Sequence, residues 1–110
     1  IQGDDILDAA SLLFGAPGLV TGLGNVWIEP YVEMYQAARS GAAELVKESQ
    51  RKINTLARII DIAGGAVIPA IKMAAALRGR GSERMRIPGD TLKRDLRKPM
   101  EGVLEELGLL

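Results

Sequence analysis

The chain contains no cysteine and no histidine. Those two absences remove thiol nucleophiles, thiolate metal centres, disulfides and any Ser-His-Asp triad together. The lack of cysteine fits a cytoplasmic protein, which is the expected location. Aromatic side chains are scarce: one Phe, one Trp and two Tyr, too few to build stacking platforms for bases. Neither sign of charge is in excess, with fourteen Lys and Arg against fourteen Asp and Glu. No global field therefore pulls the chain toward nucleic acid or an anionic membrane, and neither is expected as a partner. No apolar run approaches the roughly 20 residues that span a bilayer. The first five residues, IQGDD, are acidic rather than basic and do not read as a signal peptide. They also lack an initiator Met, and the expectation is a chain cut from something longer.

What is present is ordinary for one small globular domain: 110 residues, 47% of them hydrophobic and 25% charged. Asp4 and Asp5 suit the start of a helix, and Ile6, Leu7, Ala10, Leu13 and Phe14 then recur at helical spacing. Gly15-Ala16-Pro17-Gly18 ends that helix. Leu19-Val20-Thr21 reads as a short buried strand, followed by a turn at Gly22-Leu23-Gly24-Asn25 that asks for positive φ. A second helix is expected over 28–40, with Val32, Tyr35 and Ala38 facing inward and Pro30 in its first turn. A longer helix follows over 42–62, with Leu45, Val46, Ile53, Leu56, Ile59 and Ile60 on its apolar side. Gly64-Gly65 closes it, and an Ala-rich helix over 69–78 buries Ile71, Ala74, Ala75 and Leu77. A basic, glycine-rich turn leads to a last helix over 91–107, shifted or interrupted by Pro99. One strand cannot make a sheet, because both its edges stay unpaired. Either it is no strand, or its neighbours lie outside these residues.

Four features are weighed for chemistry. Gly22-Leu23-Gly24 begins like a dinucleotide fingerprint, but Trp27 stands where the third glycine belongs and no second strand ending in an acid follows. A tight turn is the better account. Lys72 lies in the apolar segment IPAIKMAAAL, where a desolvated amine can form a Schiff base. A stem packed along the helix with its ammonium in water explains it as well. Asp4 and Asp5 are paired carboxylates, but with no His nearby they read as helix caps, and no metal site is expected. Arg78, Arg80, Arg84 and Arg86 form a basic stretch that reads as solvated.

Taken together, GDD at 3–5, GAPGLVTGLGNV at 15–26, VEMYQAARSG at 32–41, IPAIKMAAALRGRG at 68–81, MRIP at 85–88 and the tail LEELGLL resemble the dihydrodipicolinate synthase and N-acetylneuraminate lyase family. These are pyruvate-dependent class I aldolases and lyases, and the landmarks agree in order and spacing across essentially the whole chain. The resemblance implies an α/β fold: the C-terminal portion of a TIM (β/α)8 barrel, its last one to two strands with their helices, plus an appended three-helix bundle. Residues 1–40 would be the end of the barrel and residues 41–110 the bundle. Ile1 to Gly3 would end the seventh strand and Leu19 to Leu23 form the eighth. Active sites in this architecture lie at the carboxyl ends of the strands. The family's pocket wall then maps onto Gly3 and Val20, and the rim onto Asp4, Gly22 and Asn25.

The resemblance further implies a Schiff-base enzyme that uses no cofactor and takes pyruvate or another 2-keto acid. The family's Schiff-base Lys, its proton-relaying Tyr and its carboxylate-binding Gly-Thr/Ser-Thr segment all belong upstream of Ile1, so no catalytic residue is expected in this chain. Lys72 matches a lysine of the appended bundle. Gly41-Ala42 stands where relatives have Gly-Asp, and the eighth-strand loop is more glycine-rich than in many relatives. Both a dihydrodipicolinate synthase and a 2-keto-3-deoxy sugar acid aldolase fit. The expected partners are the missing N-terminal barrel segment or a second copy of the chain. The alternative is a non-catalytic helical interaction module derived from the same family.

Overall fold

A computed structural model describes residues 1–110. Five α-helices follow one another: α1 (Asp8–Leu13), α2 (Glu29–Arg39), α3 (Ala43–Ile62), α4 (Val67–Leu77) and α5 (Arg97–Glu106). Short 3₁₀ turns sit at Leu23–Asn25 and Arg94–Leu96. Two compact units divide the chain, residues 1–55 and 56–110, so the division falls inside α3.

In the first unit the expected strand reduces to a single parallel bridge between Gln2 and Leu19. The Gln2 N–H donates to the Gly18 carbonyl (3.2 Å), and the Gln2 carbonyl accepts from the Val20 N–H (2.8 Å). The ladder stops there for local reasons. Gln2 folds its own side chain forward, and its Oε1 accepts from the N–H groups of Gly3 (2.9 Å) and Asp4 (2.8 Å). That curls the chain into the Asp4 turn. On the other side, Leu23 opens a 3₁₀ turn rather than continuing an extended segment. Val20, read as part of a buried strand, is 67% exposed. None of the glycines at 18, 22 and 24 has positive φ. Gly24 is required for space instead: a Cβ there would lie 2.7 Å from Thr21 Cγ2 and 3.1 Å from Ile28 Cδ1.

α1 is shorter than expected, and its orientation is reversed. Asp8 and Leu12 are its buried residues, whereas Ile6, Leu7, Leu13 and Phe14 are exposed, Phe14 to 93%. α2 begins with Glu29 and Pro30, the acid favourable at the positive helix end and the proline harmless where an N–H has no partner. It packs against α1. Its inward stripe is Tyr31, Met34 and Ala37, one residue earlier than Val32, Tyr35 and Ala38. Gly41, at φ +75°, makes the turn into α3 at a conformation that side chains rarely adopt. The first part of α3 buries Val46, Ser49 and Ile53, three to four residues apart, as one helix face requires; Leu45 is exposed.

In the second unit the end of α3 buries Leu56 and Ile59. Gly64 and Gly65 close it, both at positive φ. α4 buries Ala70, Met73 and Ala74, and packs against α5, whose inward residues are Met100, Val103 and Leu104. Small alanines on α4 let a neighbouring helix approach, while the methionines fill the irregular space between. α5 starts at Arg97 and not near residue 91, with a 3₁₀ turn before it. Pro99 does not interrupt α5; the proline lies in its first turn, where the missing N–H leaves no bond unmade. An exposed ion pair joins Arg58 of α3 to Glu106 of α5 (2.8 Å), and a half-buried one joins Arg97 to Glu83 (2.6 Å). No single helix is long and apolar enough to cross a membrane.

Candidate functional site

Residues 2–8 and 18–31 meet beside the Gln2–Leu19 bridge. Gly3 follows Gln2 directly, and a Cβ added to it would lie 3.6 Å from the Val20 carbonyl oxygen. The two residues assigned to the pocket wall are therefore neighbours. Asp4 is exposed, and its Oδ1 accepts from the Ile6 N–H (3.1 Å), a turn of the side chain onto its own backbone. Gly22 accepts through its carbonyl from Asn25 Nδ2 (2.9 Å), so these two rim candidates brace each other across the 3₁₀ turn.

Asp5 is not a helix cap. Its Oδ1 accepts from the Tyr31 hydroxyl (2.6 Å) and from the Thr21 hydroxyl. Thr21 Oγ1 accepts in turn from the Gly24 N–H (3.2 Å). One carboxylate thus ties the turn after Gly3, the loop after Val20 and the first turn of α2. Tyr31 is buried, and its phenol is pushed well above its ordinary range by burial and then by its bond to Asp5. It holds its proton and serves as a donor.

Asp8 lies on the first turn of α1 with 1% of its surface exposed, and its Oδ2 has no hydrogen-bond partner. Burial raises its pKa to about 6 from an ordinary value of 3.8, and the charges of Asp5 and Asp4 push in the same direction. Gln50 of α3 fastens this corner. Its Nε2 donates to the Asp5 carbonyl (2.9 Å), and its Oε1 accepts from the Ala9 N–H (2.9 Å), one of the orphan donors at the start of α1.

Asp5, Asp8, Thr21 and Tyr31 were not singled out as one cluster by sequence pattern. Asp5 and Asp8 are one helical turn apart, which is a weak signal, and nothing local connects either to Tyr31. Lys72 stands in the second unit, where its Nζ donates to the Arg84 carbonyl. Arg84 and Arg86 are exposed.

The sequence profile of the Dihydrodipicolinate synthetase family matches residues 1–107. A 4-hydroxy-tetrahydrodipicolinate synthase of Methanospirillum hungatei is 29% identical over 94% of this chain and 35% of its own length. A DapA-like lyase of Halobacterium salinarum is 32% identical over the whole chain and 36% of its own length. The solved structure of dihydrodipicolinate synthase from Bacteroides thetaiotaomicron superposes with a TM-score of 0.86 at 28% identity, covering 94% of this chain and 36% of that one. The chain thus spans little more than a third of the relatives it matches. On sequence and fold together, it belongs to the dihydrodipicolinate synthetase family.

Proposed function

We propose that this chain supplies the C-terminal third of a Schiff-base-forming, pyruvate-dependent aldolase or lyase. In that enzyme a Lys amine condenses with the keto carbonyl, releasing water and leaving an iminium that accepts electrons as a carbon–carbon bond forms or breaks. The nucleophile comes from outside these 110 residues. Residues 1–40 complete the barrel, with Gly3 and Val20 as pocket wall and Asp4, Gly22 and Asn25 at the rim. Residues 41–110 form the appended helical bundle. The partners are the remaining barrel segment and a 2-keto acid, and the enzyme works in the cytoplasm.

The observation that carries this reading is the adjacency of Gly3 and Val20 beside a parallel backbone bridge, in a chain that matches its family from end to end. A glycine beside the Val20 carbonyl adds no side chain of its own to the proposed wall, which leaves that side open to a bound keto acid. The second candidate substrate class, 2-keto-3-deoxy sugar acids, shares the same iminium chemistry. The test is borohydride trapping followed by mass spectrometry. The complete gene product, given pyruvate and borohydride, is expected to gain one reduced adduct on a lysine outside this segment. The 110-residue chain alone is expected to gain none, and a stable adduct on Lys72 overturns the assignment.

A further inference from the structure

The backbone joins the two halves of the proposed wall weakly. A single parallel bridge holds Gln2 to Leu19, its two bonds running to the Gly18 carbonyl and from the Val20 N–H, on the N-terminal side of Gly3 and Val20. On their other side the connection is made by side chains: Asp5, two residues past Gly3, takes the hydroxyl of Thr21, the residue after Val20. Gly3 and Val20 therefore lie between two cross-links, one of backbone and one of side chain.

The second cross-link has a fixed direction. The Gly24 N–H donates to Thr21 Oγ1, so the hydroxyl proton of Thr21 points away, to Asp5. The phenol of Tyr31 donates to the same carboxylate oxygen at 2.6 Å. Tyr31 is buried in the inward stripe of α2 with Met34 and Ala37, and buried Pro30 precedes it. A packed helix is a firmer base than a loop. A charged acceptor between two hydroxyl donors makes stronger bonds than neutral pairs do.

We infer that Tyr31 is a positioning residue: together with Thr21 it fixes Asp5, and through Asp5 the spacing between Gly3 and Val20. The inference rests on the reading of those two residues as the pocket wall. Tyr31 itself, buried on α2, touches no substrate. It keeps the mouth at the width a keto acid needs, and its loss loosens ground-state binding more than it slows the chemistry.

The experiment uses the complete gene product, with pyruvate and borohydride as the probe. Trapping rate is measured against pyruvate concentration for wild type, Tyr31→Phe, Thr21→Val and Thr21→Ser, beside a thermal melt of each. Tyr31→Phe and Thr21→Val are expected to raise half-saturating pyruvate by about tenfold, with a much smaller change in the saturating rate. Thr21→Ser, which keeps the hydroxyl, is expected to return half-saturation to within about twofold of wild type. A purely structural role would lower the melting temperature and leave half-saturation in place, and that result overturns the inference. If Tyr31→Phe does not fold, the Thr21→Val and Thr21→Ser pair decides alone. A wild-type enzyme that traps no pyruvate overturns the proposed reaction and this inference with it. A wild type that traps pyruvate beside variants of unchanged half-saturation overturns the inference only.

Discussion

Asp8 places a carboxyl where water does not reach, and the folded protein holds its proton up to about pH 6. The unfolded chain releases it near the ordinary value of 3.8. Between those values the folded state binds more protons, so stability falls as pH rises. The penalty is fully developed above the folded pKa and amounts to about 2–3 kcal/mol at most. Asp8→Asn keeps the shape and removes the ionisation. Urea melts are expected to show wild type losing stability between pH 4 and roughly pH 7, with Asp8→Asn flatter and more stable by about 1–2 kcal/mol at pH 8. An unchanged pH profile in the variant would refute the assignment. Gly24 offers a second residue-scale test. An added methyl meets Thr21 Cγ2 at 2.7 Å, and Thr21 cannot rotate away without breaking its bonds to Asp5 and to the Gly24 N–H. Gly24→Ala is expected to destabilise by about 1–3 kcal/mol by the same melts.

Among the elements, α3 changes in burial along its length. Leu56 is fully buried, whereas Leu45, three turns earlier on the same side of the helix, is 57% exposed. Leu56→Ala is expected to cost about 2–4 kcal/mol, the lost transfer energy plus the cavity left behind. Leu45→Ala should fall within about 0.5 kcal/mol of wild type. Comparable losses at both sites would mean that Leu45 is covered in solution by something beyond this chain. α1 presents the opposite case. A six-residue helix has little stability of its own. It is held by burying Leu12, by Gln50 taking the Ala9 N–H, and by Gln2 Nε2 donating to Ser11 Oγ at 2.9 Å. Its remaining apolar side chains face water.

At the scale of the whole molecule those exposed side chains decide the solution behaviour. Ile1, Ile6, Phe14 and Val20 are each more than 60% exposed, all within the first twenty residues. Covering one such side chain is worth about 1.5–3 kcal/mol. Several together rival the ~5–15 kcal/mol that separates a folded domain from its unfolded state. The isolated chain is therefore expected to self-associate, or to bind a hydrophobic dye, at low micromolar concentration. Sedimentation showing one chain per particle, with no dye binding, would mean that residues 1–20 have closed over this surface in a way the present fold does not.

The sequence by itself determined that five helices follow one another and where the middle ones stop, while α1 and α5 both start later than their apolar spacing suggested. The apolar period of α3 and the glycines at 41 and 64–65 are local properties, and helix geometry reads them directly. It also carried the family, because the order of GDD, GAPGLVTGLGNV and IPAIKMAAALRGRG is written along the chain. Which face of each helix turns inward was decided only by the tertiary structure. Periodicity suggested Val32, Tyr35 and Ala38 for α2, yet the buried set is Tyr31, Met34 and Ala37. In α1 Leu13 lies in water, and an aspartate, Asp8, is buried beside Leu12. The physical reason is that apolar spacing records only which side chains avoid water. Tyr31 turns inward where its hydroxyl meets the carboxylate of Asp5, 26 residues away, and a bond across that distance leaves no period in the sequence.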